Sequence, residues 1–311
     1  MIEDFSWDTK YRPKTISETI LPAELKTVFQ QFVENKHIPH MMLCGSAGIG
    51  KTTVAKALLE ELNCDYIMIN CSIDGGIDTI RNTILTFATS VSLTGGRKYV
   101  ILDEADFLSP SSQPALRSFI EEHTKNCGFI LTCNYKNRII EPLHSRCPPI
   151  DFKISKAEIP KLAAQFMKRI ITILELENIK YDKASVAALI NKYFPDFRRI
   201  INELQKYSAS GEVNSGVLNS INDVNIATVF QYCKNKDIDA VRKWVQDNND
   251  TDQIHLFRAV YDQAANYMDK QSVPFIILKI AEYSYKSSFV ADRDINMVAF
   301  FIECMIEVNF T

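Results

Sequence analysis

Short apolar runs alternate with longer segments of helical spacing through the first half of the chain, and the alternation stops near residue 155. The runs MMLC (41–44), YIMIN (66–70), YVILD (99–103), FILTC (129–133) and PIDF (149–152) have the length and composition of buried strands. Between them, TTVAKALLEEL, IDTIRNTILTFATSV and SPSSQPALRSFIEEHT place apolar residues three and four apart, the period of a helix with one buried face. Strands alternating with helices in this way predict an α/β domain built on a five-stranded parallel sheet. Ser109 and Pro110 predict the start of the last of these helices, a cap followed by the one residue tolerated in the first turn.

Beyond 155 the pattern is helical. Ser155 predicts a cap for a helix reaching about Glu177, Asp182 for a second reaching about Tyr193, and a third runs from near Pro195 to Ser208. The expected organisation is therefore a first domain over 1–154, a three-helix unit over 155–212, and an all-helical domain over 213–311, entered through the polar stretch SASGEVNSGVLNSIND.

Composition narrows the function. At 311 residues, 46% hydrophobic and 23% charged, the chain can bury the cores of about two ordinary domains. The net charge of −3 is spread evenly, with 16 basic against 18 acidic residues in 1–155, 10 against 8 in 156–224 and 9 against 12 in 225–311. Nucleic acid would thus be held by a few placed cations rather than by a basic arm. No run approaches a membrane span and MIEDFSWDTKYRP is not a secretory signal, so a cytosolic protein without membrane contact is expected. The eight cysteines form no C-x-x-C pair and read as reduced core residues, and the histidines lack metal-ligand spacing.

The strongest chemical signal is GSAGIGKT, a complete G-x-x-x-x-G-K-[ST] loop between a strand and a helix. Its glycines let backbone amides turn inward on phosphates, and the helix N-terminus adds its dipole. Gly45, Ser46, Ala47, Gly48, Ile49, Gly50, Lys51, Thr52 and Thr53 are expected to bind ATP, with Lys51 on the β- and γ-phosphates and Thr52 on Mg2+. YVILDE supplies the second half: Asp103 to the Mg2+ shell and Glu104 to polarise the attacking water. The letters DEAD at 103–106 suggest a helicase, but the chain turns helical near 155 and leaves no room for a second such domain. Ala105 and Asp106 are expected simply to continue into the next turn.

Together these motifs resemble the AAA+ ATPases, and among them the clamp loaders of the replication factor C type. The KYRP box, Lys10 to Pro13, resembles the segment that lies against adenine in that family, implying nucleotide contacts from Tyr11, Arg12 and Pro13. Asn134 after FILTC matches the sensor-1 position, HSRC with Ser145, Arg146 and Cys147 matches the Ser-Arg-Cys signature, and Arg198 in PDFRR matches sensor 2. The likeness covers roughly 7–210, and ILPAELKTVFQQFVENKHIPH and PDFRRIINELQKYSASG are similar to the T-even phage branch. It implies a RecA-like AAA+ domain, a three-helix lid and a helical collar. It also implies Arg146 acting on a neighbour's ATP, worth ~10³–10⁵ in rate. Arg198 would act in cis, while adjacent Arg199 reads as a solvated charge.

Further roles follow from the same likeness. In GGIDTIRNTI the apolar residues Ile77, Ile80, Ile84 and Ala88 share one helical face. Read alone this is an amphipathic helix; with the resemblance, Ile77, Asp78, Thr79 and Arg81 are expected to track a DNA backbone, more lightly than usual because Gly75 and Gly76 stand where related loaders often carry a basic residue. Gln113 and Arg117, one turn apart on a polar face, are expected to couple DNA to Glu104 or to the next subunit. Phe107 and Leu108 are candidates for clamp contact. The zinc module of bacterial loader ATPases is absent. The expected activity is DNA-stimulated ATP hydrolysis that opens and loads a sliding clamp at primer–template junctions, in a five-membered ring of identical copies plus one non-identical subunit. The rivals are a helicase loader or branch-migration motor, and a non-catalytic subunit that binds ATP as structural glue.

Overall fold

The computed structural model describes residues 6–73, 77–91, 96–209, 211–213, 226–248, 253–287, 289–290 and 292–310, with the side chains of 77–80 and 254–255 left aside. They fall into two compact units, 1–219 and 220–311. In the first, β1 (Met41–Cys44), β2 (Tyr66–Asn70), β3 (Lys98–Asp103), β4 (Cys127–Cys133) and β5 (Pro149–Asp151) form one parallel sheet in the order β2-β3-β4-β1-β5. Helices α1 (Trp7–Lys10), α2 (Ala23–Glu34), α3 (Lys51–Glu61), α4 (Ile77–Thr89), α5 (Ser112–His123) and α6 (Glu141–Arg146) accompany it.

The central strands are continuous apolar runs because both faces are covered. Val100, Leu102, Phe129 and Leu131 pack into one cluster with Ile84, Leu116 and Phe119 of α4 and α5. Ile101, Ile130 and Leu43 point the other way, against Phe29 of α2 and Leu58 of α3. β3 begins one residue earlier than the apolar run, at Lys98, which is buried. The Lys98 ammonium donates to Phe87 O at 2.6 Å and to Ser90 Oγ at 2.8 Å, so a cation closes the C-terminal end of α4, where carbonyls lack helical partners.

Two helix starts lie one turn later than the sequence suggests. Ser109 does act on α5, its hydroxyl accepting from Ser112 N at 3.2 Å, but the residues between form a turn and the regular helix opens at Ser112. Ser155 likewise bonds Glu158 (Oγ to Oε2, 2.7 Å), and α7 is regular only over Ile159–Leu176. Asp182 caps α8 (Lys183–Tyr193) through Ala184 N and Ser185 N, and Asp196 caps α9 (Phe197–Ser208), which starts near Pro195 as expected, through Arg199 N. The expected linker contains a strand: β7 (Glu212–Val213) pairs in parallel with β6 (Lys180–Tyr181).

The second unit holds α10 (Ile226–Lys234), α11 (Ile238–Asp247), α12 (Gln253–Tyr267), α13 (Ser272–Lys286) and α14 (Arg293–Glu307). Their core is aromatic, with Trp244 edge-on to Phe301 and Phe257 edge-on to Phe300.

Candidate active site

Open parallel sheets bind ligands outside the carboxyl ends of their strands. Here β1, β4 and β3 end side by side at Cys44, Cys133 and Asp103, and the loop Gly45 to Gly50 arcs from β1 into α3. Gly48 (φ 71°) and Gly50 (φ 95°) occupy the left-handed region that glycine enters without strain. At Gly48 space is equally decisive: a Cβ there would lie 1.8 Å from Asp196 Oδ1, and Gly48 O accepts Phe197 N at 3.1 Å. The first turn of α9 thus rests directly on the loop.

Between the sheet tips and helices α7 and α9 lies a cavity of about 330 Å³, at the small end of ligand sites. Its walls include Tyr11, Arg12, Pro13, the segment Ala47 to Thr53, Asp103, Glu104, Asn134 and Arg198. Gly45 and Ser46 take part through their carbonyls, which accept from Lys51 Nζ at 2.9 and 2.8 Å, while Asn134 Oδ1 accepts from the same ammonium at 2.9 Å. Burial pulls the Lys51 pKa below that of an ordinary lysine, against the opposing charges of Asp103 and Asp106. Three neutral acceptors therefore hold a desolvated cation where an anionic phosphate would be a stronger partner.

Thr52 Oγ1 donates to Asp103 Oδ1 at 2.6 Å. A hydroxyl and a carboxylate side by side at the cavity wall are hard oxygen donors, a set that could hold Mg2+, which takes few protein ligands and fills its octahedron with water and phosphate oxygens. Thr132, which the motifs did not single out, completes the arrangement: its hydroxyl donates to Asp103 Oδ1 at 2.7 Å and accepts Glu104 N at 3.1 Å. Glu104 itself sits at φ 56°, ψ 45°, a left-handed conformation that in a non-glycine residue costs ~1–3 kcal/mol and persists only where its surroundings impose it. The chain then leaves through a short 3-10 turn over Ala105–Phe107. Contrary to the expectation for the DEAD letters, Asp106 is not incidental: it is buried, and its Oδ2 accepts Tyr135 N at 3.2 Å, tying the end of β3 to the turn after Asn134.

The N-terminal box is tied to α7. Arg169 of α7, also unforeseen, lines the cavity and donates through Nη2 to Tyr11 O at 2.7 Å and through Nη1 to Glu18 O at 3.4 Å. Burial lowers its pKa from the ordinary arginine value. Lys10 Nζ and the Tyr11 hydroxyl both donate to Glu177 at the end of α7. Arg198 faces the cavity with its side chain 61% exposed and Nε 4.0 Å from Asp8 Oδ2. Arg199, expected as a solvated charge, is exposed, and its guanidinium also stacks 4.3 Å from the Tyr193 ring centroid.

Arg146 is not among the residues that line the cavity. It closes α6, where its Nε donates to Glu121 Oε1 at 2.6 Å, its Nη2 contacts the same oxygen, and its Nη1 donates to Ser145 Oγ at 2.8 Å. Cys147 behind it is buried, and that burial raises its thiol pKa to about 12. Arg117 Nε reaches Glu121 Oε1 at 3.3 Å, so Arg117 and Arg146 share one carboxylate partner. Gln113 does not share that polar face. It is 1% exposed, donates to Leu108 O (3.1 Å) and Arg138 O (3.0 Å), and accepts Ile140 N (2.8 Å), stitching α5 to the segment between Asn134 and α6.

Of the expected DNA contacts, Arg81 is exposed on α4, whereas the side chains of Ile77, Asp78 and Thr79, and Gly75 and Gly76 entirely, lie outside the described residues. Of the expected apolar stripe, Ile84 and Ala88 are buried, and the side chain of Ile80, like that of Ile77, lies outside the described residues. Phe107 is 55% exposed, but Leu108 is core and unavailable as a surface contact. All eight cysteines carry free thiols, and Cys64 alone is not fully buried.

Residues 41–154 match the family described as "ATPase family associated with various cellular activities (AAA)". Residues 160–219 match "Sliding-clamp-loader large subunit, AAA+ ATPase lid domain". The chain is 34% identical to the sliding-clamp-loader large subunit of Enterobacteria phage T4 over 97% of this chain and 96% of that protein. It is 41% identical to the corresponding protein of Escherichia phage RB69 over 76% of this chain and 75% of that protein. The replication factor C small subunit of Archaeoglobus fulgidus is 41% identical over 68% of this chain and 67% of its own. Among solved structures, the Thermotoga maritima RuvB branch-migration motor superposes with a TM-score of 0.51 at 18% identity, over 68% of this chain and 71% of that one, a likeness of fold alone.

Proposed function

Because this chain belongs to the sliding-clamp-loader large-subunit family of AAA+ ATPases, we propose that it is the ATP-hydrolysing subunit of a loader that opens a ring-shaped clamp and leaves it at primer–template junctions. Residues 1–154 are the RecA-like ATPase domain, 155–212 the lid and 213–311 an oligomerising collar. The ring contains further copies of this chain and one non-identical subunit, five members in all, and works in the cytoplasm of the host cell.

The observation that carries this reading is the division of the site. Lys51, Thr52, Asp103, Glu104 and Asn134 meet at one cavity, while Arg146 stands outside it on α6. The loop amides and Lys51 bind the phosphates, exchanging the ammonium's bonds to Gly45 O and Ser46 O for charge-assisted ones. Thr52 and Asp103 would hold Mg2+, which when bound would supply charge neutralisation at the phosphates. Glu104, fixed by Thr132, polarises the attacking water, and Asn134 orients it. Tyr11, Arg12 and Pro13 flank the base. Arg198 reaches the γ-phosphate from the lid and so couples nucleotide state to the angle of α9. Arg146 completes the site of the neighbouring subunit, making hydrolysis depend on assembly. Ile77, Asp78, Thr79 and Arg81 follow the DNA backbone, and Gln113 and Arg117 carry that contact toward Glu104 and Arg146.

Phosphate release by the chain with its partner subunit and clamp tests this, with no DNA, single-stranded DNA and a primer–template junction compared. Strong preference for the junction, lost in Arg146→Ala, supports clamp loading with a shared site. Equal response to single strands, or turnover that survives the substitution, returns the chain to the generic DNA motors of the same fold.

A further inference from the structure

Two thiols stand at the root of the phosphate loop with no part in the chemistry above. Cys44 ends β1 and Cys133 ends β4, paired in register on adjacent parallel strands, and their sulfurs are 3.4 Å apart. Both are buried, at 3% and 1% exposure, yet Cys133 lines the nucleotide cavity. Both belong to the apolar core cluster on that face of the sheet, and a small reagent that reached the pair through the cavity would be excluded by bound nucleotide.

Adjacent strands lie ~4.7–4.9 Å apart, inside the ~4.4–6.8 Å window of Cα separations that a disulfide spans. Bridging would still draw the sulfurs from 3.4 Å to about 2.05 Å. That contraction falls on the two chain segments that hold Lys51. Gly45 follows Cys44 and Asn134 follows Cys133, and both accept from the Lys51 ammonium. Gly45 N also donates to Cys133 O at 3.2 Å. The end of β1 has little slack on its other side, where a Cβ at Gly45 would meet Phe152 Cβ at 3.0 Å. In a close-packed interior the shift is passed on rather than absorbed.

We propose that Cys44 and Cys133 form a reversible thiol–disulfide pair, open to oxidation while the nucleotide cavity is empty, whose closure switches off ATP binding. With a diazene oxidant such as diamide, the Cys133 sulfur adds to one nitrogen and its proton passes to the other. The Cys44 sulfur then displaces that nitrogen, the S–S bond forming as the S–N bond breaks, and the second proton completes the hydrazine. Two thiols lose two electrons and two protons, and the diazene gains them. A dithiol reductant reverses the reaction by exchange. The inference concerns nucleotide binding alone and does not rest on clamp loading.

The test uses the full chain carrying Cys64→Ser, which removes the least buried of the other thiols. It is treated with diamide either free or saturated with a non-hydrolysable ATP analogue and Mg2+, and read by intact mass, peptide mapping and binding of a fluorescent ATP analogue. Expected are the loss of two hydrogen atoms mapped to Cys44–Cys133 in the free protein only, affinity reduced by about tenfold or more, and recovery with dithiothreitol. Cys44→Ala should keep its affinity through the same treatment. If that variant does not fold, the mapped crosslink and its reversal in the parent protein decide alone. A crosslink formed equally with nucleotide bound, one mapped elsewhere, or a crosslinked protein that binds as before overturns the proposal. Untreated protein that binds no analogue would overturn the nucleotide site itself, a result distinct from unaltered binding after diamide.

Discussion

Arg146 and Glu121 are joined side-on, the arginine Nε 2.6 Å from the carboxylate oxygen, on a pair of helices that contribute no residue to the lining of the chain's own nucleotide cavity. Arg117 shares the same carboxylate oxygen, and Arg146 Nη1 already donates to Ser145 Oγ and reaches Pro142 O, so the proposed role toward a neighbour's phosphate requires Arg146 to exchange these partners. Arg146→Ala should lower hydrolysis by the assembled loader by ~10³-fold or more, while the affinity of the isolated chain for ATP stays within twofold or so of the parent. Glu121→Gln should give a smaller loss in the same direction. Steady-state kinetics of the assembly beside nucleotide titration of the free chain checks both, and a loss of affinity in the free chain would place Arg146 in cis.

Thr132 is the shared support of both acidic residues, donating to Asp103 and accepting from Glu104 N. Thr132→Val keeps the shape and removes both bonds. The variant should retain ATP binding through the loop yet turn over ~10–100-fold more slowly, and should need more Mg2+ for half-maximal rate. A Mg2+ titration of initial rates distinguishes this from general loss of fold, and Thr132→Ser should recover most of the activity.

Gln113 satisfies three backbone groups from within the core. Gln113→Leu leaves Leu108 O, Arg138 O and Ile140 N without these partners and should destabilise the first unit by ~2–4 kcal/mol. Denaturant unfolding gives the figure; a change below ~0.5 kcal/mol would mean that water replaces the side chain.

His40 gives a pH dependence whose sign is fixed. Its Nδ1 accepts Phe129 N at 3.0 Å, so the folded ring must be neutral there, and burial, with Arg97 and His37 adding to it, pushes its pKa down to about 4. Between that value and the ordinary ~6.5 the unfolded chain takes a proton that the folded one refuses, so stability falls as pH drops through this window. His40→Asn, whose amide oxygen can accept the same bond, should flatten the profile between pH 7 and 4.5. Melting temperatures across that range measure it, and an unchanged slope would assign the loss to other groups.

The strands and the phosphate loop were legible because a strand buried on both faces must be a continuous apolar run, and because the loop's chemistry is local to Gly45 to Thr52. What could not be read depends on which strands become neighbours. Thr132 reaches Asp103 only because β4 lies beside β3, and Asp106 reaches Tyr135 for the same reason. No spacing along the chain carries that information. The early placement of the starts of α5 and α7 has a different cause: Ser109 and Ser155 do make capping bonds, but each organises a turn before the regular helix begins. Gln113 looked like a surface partner of Arg117 because i and i+4 share a face in outline; α5 is rotated enough that one is buried and the other half-exposed.

The strand order has a consequence for the protein as it is made. β1, which carries the phosphate loop, pairs only with β4 and β5, and β3, which carries the acidic pair, meets β1 only across β4. A nascent chain that has already emerged past Asp103 therefore holds both nucleotide motifs without a sheet to join them. The roughly thirty residues to the end of β4 take a few seconds at ~5–20 residues per second, and until they leave the ribosome the half-made ATPase has no working site with which to consume ATP.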